Sequence, residues 1–311
     1  MKYLPHAISL LTLVIVCSYI QYNEGKRNEF FTESHPDMEM PSAGYSDQIN
    51  DISLDLPKSL SFAGEPVPLD IPDVRERLDR ELHINTYWHS STIFLLKRAN
   101  KWLPQMEQIL KENNIPDDFK YLAAIEGGFM NEVSPKNAVG FWQFLKDAGK
   151  ENGLEVSKDV DERYDPIKST EAACRYLRKA YDKFGNWTNV AASYNRGRSG
   201  LGRALDNQKE NSYYDLMLND ETSRYVFRIL AIKEIFEHPV KYGFKINPEH
   251  LYQAPELRYV EVDSDIKDLV EFAKEQGINY KLLKLNNPWL RDDRLTVSRN
   301  KTYRIAIPVL E

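Results

Sequence analysis

Cysteine is nearly absent. The 311 residues hold two, Cys17 and Cys174, too few for a disulfide framework or a thiolate metal set. Cys174 falls on the apolar face of an expected helix and reads as a buried filler. Positive charge is not in excess either. A formal net charge of −6 gives no electrostatic reason to hold nucleic acid. The apolar run Ala7–Ile20 is too short for a comfortable membrane span, but it suits the apolar centre of a signal peptide behind Lys2. Residues 1–22 are therefore expected to be a signal peptide, with Ser18 as a tolerable cleavage point, or an uncleaved signal anchor. Bulky Val16 argues against a lipoprotein site at Cys17. What is present is apolar bulk: 42% hydrophobic residues, with 18 Tyr and 5 Trp, enough for a real core. Those aromatics fit a carbohydrate cleft and an ordinary core equally well.

Residues 23–70 mix Glu, Asp, Ser, Pro and Gly without sustained periodicity and read as a flexible linker. From Pro72, a first-turn proline, the pattern becomes helical through Val74–Leu82. Ile93, Leu96, Ala99 and Leu103, continued by Met106 and Leu110, form an apolar stripe. Pro104 starts a second helix there or kinks the first. Asp165-Pro166 is a cap followed by proline, opening a long helix that Gly185-Asn186 closes. That helix is expected to be the core of the domain. Trp187, Val190, Ala191 and Tyr194 mark the next helix, broken at Asn195-Arg196-Gly197, and Glu221–Glu237 marks another. The body over 71–240 is thus expected to be mainly α, with little β structure. A linker over 241–256 follows. The tail, 257–311, reads strand (Leu257–Val262), helix (Ile266–Gln276, ended by Gly277), helix (Ile278–Asn286) and closing strand (Tyr303–Pro308).

The chemistry-bearing stretch is Tyr121–Phe144. A short helix is expected to begin near Asp117-Asp118, to turn Phe119, Leu122 and Ile125 inward, and to stop at Gly127-Gly128 through positive φ. Glu126 then sits at the negative end of the helix, between Ile125 and Phe129. Helix-end glutamates are usually solvated surface charges. Here the helix terminus and partial desolvation both raise the pKa, and an acid kept protonated near neutral pH is what acetal cleavage needs.

Four ordered segments set the context: Glu126-Gly-Gly-Phe, Gly140-Phe141-Trp142-Gln143, Ala192-Ser193-Tyr194-Asn195-Arg196-Gly197, and Glu221-Thr222 to Tyr225-Val226. Together they resemble the lytic transglycosylase domain of the soluble-lytic-murein-transglycosylase type, and within it the membrane-bound lytic murein transglycosylase D group. The resemblance runs from about Ile71 to Pro239 and implies a lysozyme-like helical fold, related to goose-type lysozyme. The family has Glu-Ser-x-Phe, whereas here Gly127 replaces the serine. The βααβ tail, with Leu285-Asn286-Asn287-Pro288, resembles a degenerate LysM module, a binder of N-acetylglucosamine polymers; Asp263-Ser264-Asp265-Ile266 stands where that motif has Gly and Thr.

The resemblance implies that Glu126 is the catalytic acid and that Gly140, Trp142, Gln143, Tyr194, Asn195 and Tyr225 form the substrate site. Gly140 would let backbone approach a sugar. Trp142 would stack on it or anchor the core, and Gln143 would bridge hydroxyl and acetamido groups. Tyr194 would bond the acid or the substrate, Asn195 would bind glycan or end its helix, and Tyr225 would brace Glu126. No cofactor and no metal are implied. The partners implied are peptidoglycan strands, in the periplasm or cell envelope of a bacterium, with membrane attachment through the N-terminus as an option.

Most glycosidases use two carboxyl groups, and no second one is evident in these motifs; Glu132 and Asp147 are merely near in sequence. One acid suffices where the substrate brings its own nucleophiles. The N-acetyl group of N-acetylmuramic acid can attack its own C1, and its C6 hydroxyl can close a 1,6-anhydro ring, with effective concentrations on the order of 10⁵ M or more. The competing expectations are a lysozyme-like hydrolase and a glycan-binding protein without activity.

Overall fold

The computed structural model describes residues 53–310. The expected signal segment 1–22 and most of the expected linker lie outside the described residues. The remainder of that linker is not a spacer. Leu54, Leu56 and Leu60 pack on the core, and Phe62, Val67 and Leu69 are buried in it. Ser61–Phe62 (β1) and Glu65–Pro66 (β2) form a small antiparallel hairpin. Phe62 meets Phe119 edge-on at 5.2 Å. The Glu65 carboxylate accepts from the amides of Trp187 and Thr188 at a helix N-terminus, where anions are favoured. Polar composition hid this segment, because its few apolar residues all point one way.

The helical body follows. α1 (Pro72–Tyr87) buries Val74, Leu78 and Leu82. α2 (His89–Glu112) runs unbroken through Pro104, so no second helix starts there; the proline faces solvent. A 3-10 turn at Asp117–Phe119 leads into α3 (Lys120–Glu126). The two aspartates there do not cap α3 with their side chains. Asp118 instead accepts from the Ala63 amide and pairs with Lys233 at 2.7 Å, while Asp117 pairs with Lys120.

α4 (Lys146–Glu151) is short. α5 (Pro166–Phe184) starts at Asp165, whose carboxylate accepts from the amides of Ile167 and Lys168, and ends at left-handed Gly185. α6 (Trp187–Arg196) and α7 (Arg198–Gln208) are separated by Gly197 at φ +78. α8 (Asp220–Glu237) buries residues on every side, Tyr225, Phe227, Ile229 and Ile232 among them, and is packed by α1, α3 and α6. A helix enclosed on all faces is the centre of its domain. That place belongs to α8 rather than to α5.

Residues 241–256 are strapped down: Tyr242 and Phe244 are buried, and the Tyr252 amide donates to the Lys97 carbonyl of α2. The tail has the expected order, β3 (Leu257–Val262), α9 (Leu269–Glu275), α10 (Tyr280–Asn286) and β4 (Tyr303–Pro308). β3 and β4 pair antiparallel from Leu257↔Pro308 to Val262↔Tyr303. α9 begins later than the apolar pattern predicts, because Ile266 bridges to Leu295 and Asp268 caps the helix. The module shares its core with the body. Val160 packs among Leu269, Leu283, Leu290 and Ile305, the Asp161 amide donates to the Trp289 carbonyl, and the Arg291 amide donates to the Asp159 carbonyl. Among the described residues, no helix is long and apolar enough to cross a membrane.

Candidate active site

Glu126 is the last residue of α3. The chain leaves the helix in a tight turn, but Gly127 is not the residue that needs positive φ. It keeps φ −101, and the left-handed positions are Gly128 and Phe129, both at φ +56. Gly127 is instead pressed against the backbone of Gly140 and Phe141. Phe129, buried, packs near Phe141, and Arg98 of α2 donates from Nε to the Gly128 carbonyl at 2.7 Å. Two elements, α2 and the 140–141 segment, therefore fix the peptide that follows Glu126.

The Glu126 side chain is half-buried. Burial is the main cause raising its pKa above the ordinary glutamate range; the hydrogen bond from Tyr225 and the nearby Arg228 oppose the rise, and the negative charge of Glu221 adds to it. Tyr225 donates its phenol proton to Oε1. Arg228 does not form an ion pair with the acid; its Nη2 donates to the Ile125 carbonyl at 3.1 Å. The result is a carboxyl held by one neutral donor in a partly dry pocket, an arrangement suited to giving a proton near neutral pH. Tyr225 itself is buried, and burial first, then the Glu126 charge, hold its phenol well above the usual range.

The remaining expected site residues divide. Tyr194 lies close enough for the Glu126 charge to add to the burial that raises its pKa. Its hydroxyl, however, donates to the Trp142 carbonyl at 2.7 Å and not to the acid. Only its oxygen lone pairs remain for another partner. Asn195 is half-buried at the end of α6, clamped between Glu221 Oε1 (3.0 Å) and the Thr222 hydroxyl (2.8 Å). Gln143, at φ +47, donates its amide to the Gly140 carbonyl (2.8 Å) and the Glu132 carbonyl (3.1 Å), leaving its carbonyl oxygen uncommitted to this loop.

Gly140 is buried, and its missing Cβ makes room for the protein itself. A Cβ there would lie 2.1 Å from the Arg163 carbonyl oxygen, so no sugar is needed to explain the glycine. Trp142 has no exposed surface. Its indole donates to Thr170 Oγ1 at 2.9 Å, which makes it a core anchor out of reach of a stacking ligand.

Glu221, Thr222 and Arg228 were not among the expected site residues, and all three act on it. Positions 221, 225 and 228 share one face of α8, a spacing visible in the sequence. Arg98, 30 residues from the carbonyl it holds, had no such signal. Glu132 and Asp147 are exposed. Among the described residues, no group of three His, Cys, Asp or Glu side chains could hold a metal ion.

Residues 105–217 match the transglycosylase SLT domain, and residues 258–311 match the soluble lytic transglycosylase C-terminal LysM-like domain. The chain is 27% identical over 247 residues, 76% of its length and 53% of the relative's, to the membrane-bound lytic murein transglycosylase D of Escherichia coli strain K12. It is 29% identical over 117 residues, 37% of its length and 56% of the relative's, to a putative tributyltin chloride resistance protein of Alteromonas sp. strain M-1. The chain thus spans about half the length of the curated relatives it matches.

Proposed function

We propose, for a chain that carries a transglycosylase SLT domain over residues 105–217 and a LysM-like domain over 258–311, that it is a lytic transglycosylase cleaving the β-1,4 bond between N-acetylmuramic acid and N-acetylglucosamine in peptidoglycan. Glu126, protonated, gives its proton to the glycosidic oxygen as the C1–O bond breaks. The substrate's N-acetyl oxygen covers C1. Glu126, now a carboxylate, then takes the proton of the C6 hydroxyl as that oxygen attacks C1, leaving a 1,6-anhydromuramoyl end and returning the acid to its starting state. No water is consumed.

The observation that carries this reading is the setting of Glu126, a half-buried carboxyl whose hydrogen bond comes from Tyr225 and whose pKa is raised by burial. Asn195 and the free carbonyl oxygen of Gln143 are the groups offered to the glycan. Gly140 and Trp142 support the site as frame, through Arg163 and Thr170. The proposed setting is the periplasm, with the N-terminal segment delivering or tethering the protein there, and the LysM-like module holding glycan.

One observation favours a second reading. Glu221 lies near enough to raise the Glu126 pKa, and a second carboxylate could activate water, as in an inverting muramidase. Product mass separates the two. Purified murein digested by the wild type should release anhydro ends, one water lighter than hydrolysed ends, and Glu126→Gln should lose release by about 10²-fold or more. Wild-type release by Glu126→Gln would remove the acid from the mechanism.

A further inference from the structure

A cavity of about 300 Å³ opens where the C-terminal module meets the helical body, at the lower end of small-ligand pockets. Its apolar wall includes Trp102 of α2 and Trp289 and Pro288 after α10. Besides Lys168 of α5, two cations line it: Lys101 of α2 and Arg304 of β4. Among the described residues neither Lys101 nor Arg304 has a carboxylate within ion-pair distance. Lys101 Nζ lies 4.6 Å from the Trp102 ring centre, and the Arg304 guanidinium 4.2 Å from that of Tyr259. Two acids line it as well: Asp165 is already committed to the first amides of α5, and Glu171 is exposed, while Lys168 is paired with Glu162 at 2.8 Å.

Two unpaired cations beside an indole-lined wall fit a ligand with a carboxylate at one end and an aliphatic body behind it. A neutral sugar would leave both cations unused. Gln105, on the same face of α2 as Lys101, offers a donor and an acceptor to an adjoining amide. We propose that this cavity is a second binding site, specific for a short peptide ending in a free carboxylate, which Lys101 and Arg304 pair and which Trp102 and Trp289 flank. The cavity is lined by none of the residues of the candidate active site. It is nevertheless one side chain from its frame, since Trp102 meets Phe141 edge-on at 5.2 Å and the Phe141 backbone abuts Gly127. Peptidoglycan carries peptide stems with free carboxylates, so the biological source of the ligand rests on the proposed function. The site itself does not.

The full chain carrying Glu126→Gln reads binding without turnover. N-acetyl-alanyl-alanine is titrated against it by calorimetry and tryptophan fluorescence, beside the same dipeptide amidated at its C-terminus and a chitin tetramer. The acid should bind saturably and the amide about tenfold more weakly. Lys101→Gln and Arg304→Gln should each weaken the acid about tenfold, while Lys111→Gln, exposed further along α2, leaves it unchanged. Equal binding of acid and amide, an unchanged affinity in both cation variants, competition by the chitin tetramer, or no binding at all would each overturn the proposal. If the wild-type chain releases no murein fragments while the Glu126→Gln chain binds the acid, the proposed function is lost and this site stands.

Discussion

A Cβ on Gly127 would lie 2.5 Å from the carbonyl oxygen of Gly140. It would also come within 2.7 Å of the Phe141 Cα, so neighbouring backbone, not a flexible side chain, fills the space. The residue after the acid is glycine here because the 140–141 segment has closed over it. A serine placed at 127 should therefore not supply a helper. Gly127→Ser is expected to cost about 1–3 kcal/mol through overpacking, read as a lower Tm, with kcat/KM no higher than wild type. A variant that is both as stable and faster would show that the segment yields and that the hydroxyl is used.

Glu126 makes stability depend on pH in a definite direction. Its folded pKa is raised by burial, so between the ordinary value of about 4.3 and the raised one the folded protein keeps a proton that the unfolded chain has released. Stability from this group is full below the ordinary value and is lost as pH rises through the folded pKa. Glu126→Gln has no proton to lose. Its Tm advantage over wild type should grow across that window and level off above it, whereas a difference that stays flat from about pH 4 to about pH 8 would contradict the raised pKa. The cleavage rate should fall on the alkaline side through the same pKa, since the proton is then gone.

Tyr225 stabilises the charged form of that acid by donating to Oε1. Removing the donor should push the Glu126 pKa further up. Tyr225→Phe is expected to move the alkaline limb of the rate profile to higher pH, and to lower kcat about tenfold to a hundredfold, the worth of one charge-assisted hydrogen bond. A merely structural loss would lower kcat without moving the limb, so a pH–rate profile of both proteins decides between them.

Trp142 gives the opposite kind of test. Its indole is buried and bonded to Thr170. Trp142→Ala should cost about 3–5 kcal/mol. Trp142→Phe should forfeit the hydrogen bond, about 0.5–1.5 kcal/mol, while KM for glycan stays the same. Denaturant unfolding and KM measured together check this. A KM raised tenfold at unchanged stability would place the indole in the cleft.

Several features were legible without coordinates because they are local. The Asp165 cap, the Gly185 stop, the helix break at Gly197 and the alternation in β3 and β4 each rest on residues a few positions apart. So does the place of Glu126 at a helix end. The packed segment from Leu54 to Leu69 is not legible locally, because polar composition masks a few inward-facing apolar residues. The start of α9 shifted because Ile266 was taken by Leu295, a partner nearly thirty residues away.

The sequence alone determined that an acid would stand at the end of a short helix within a mostly helical body, since periodicity, capping and glycine placement act over one or two turns. Only the tertiary structure decided what surrounds that acid. Tyr225 reaches Glu126 across 99 residues of chain, Tyr194 turns to the Trp142 carbonyl, and Gly127 and Gly140 are glycines because backbone from elsewhere presses on them. Such choices depend on which distant surfaces pack together. No local pattern carries that information, because a side chain's partner is set by the burial of the whole core and not by its neighbours in the chain.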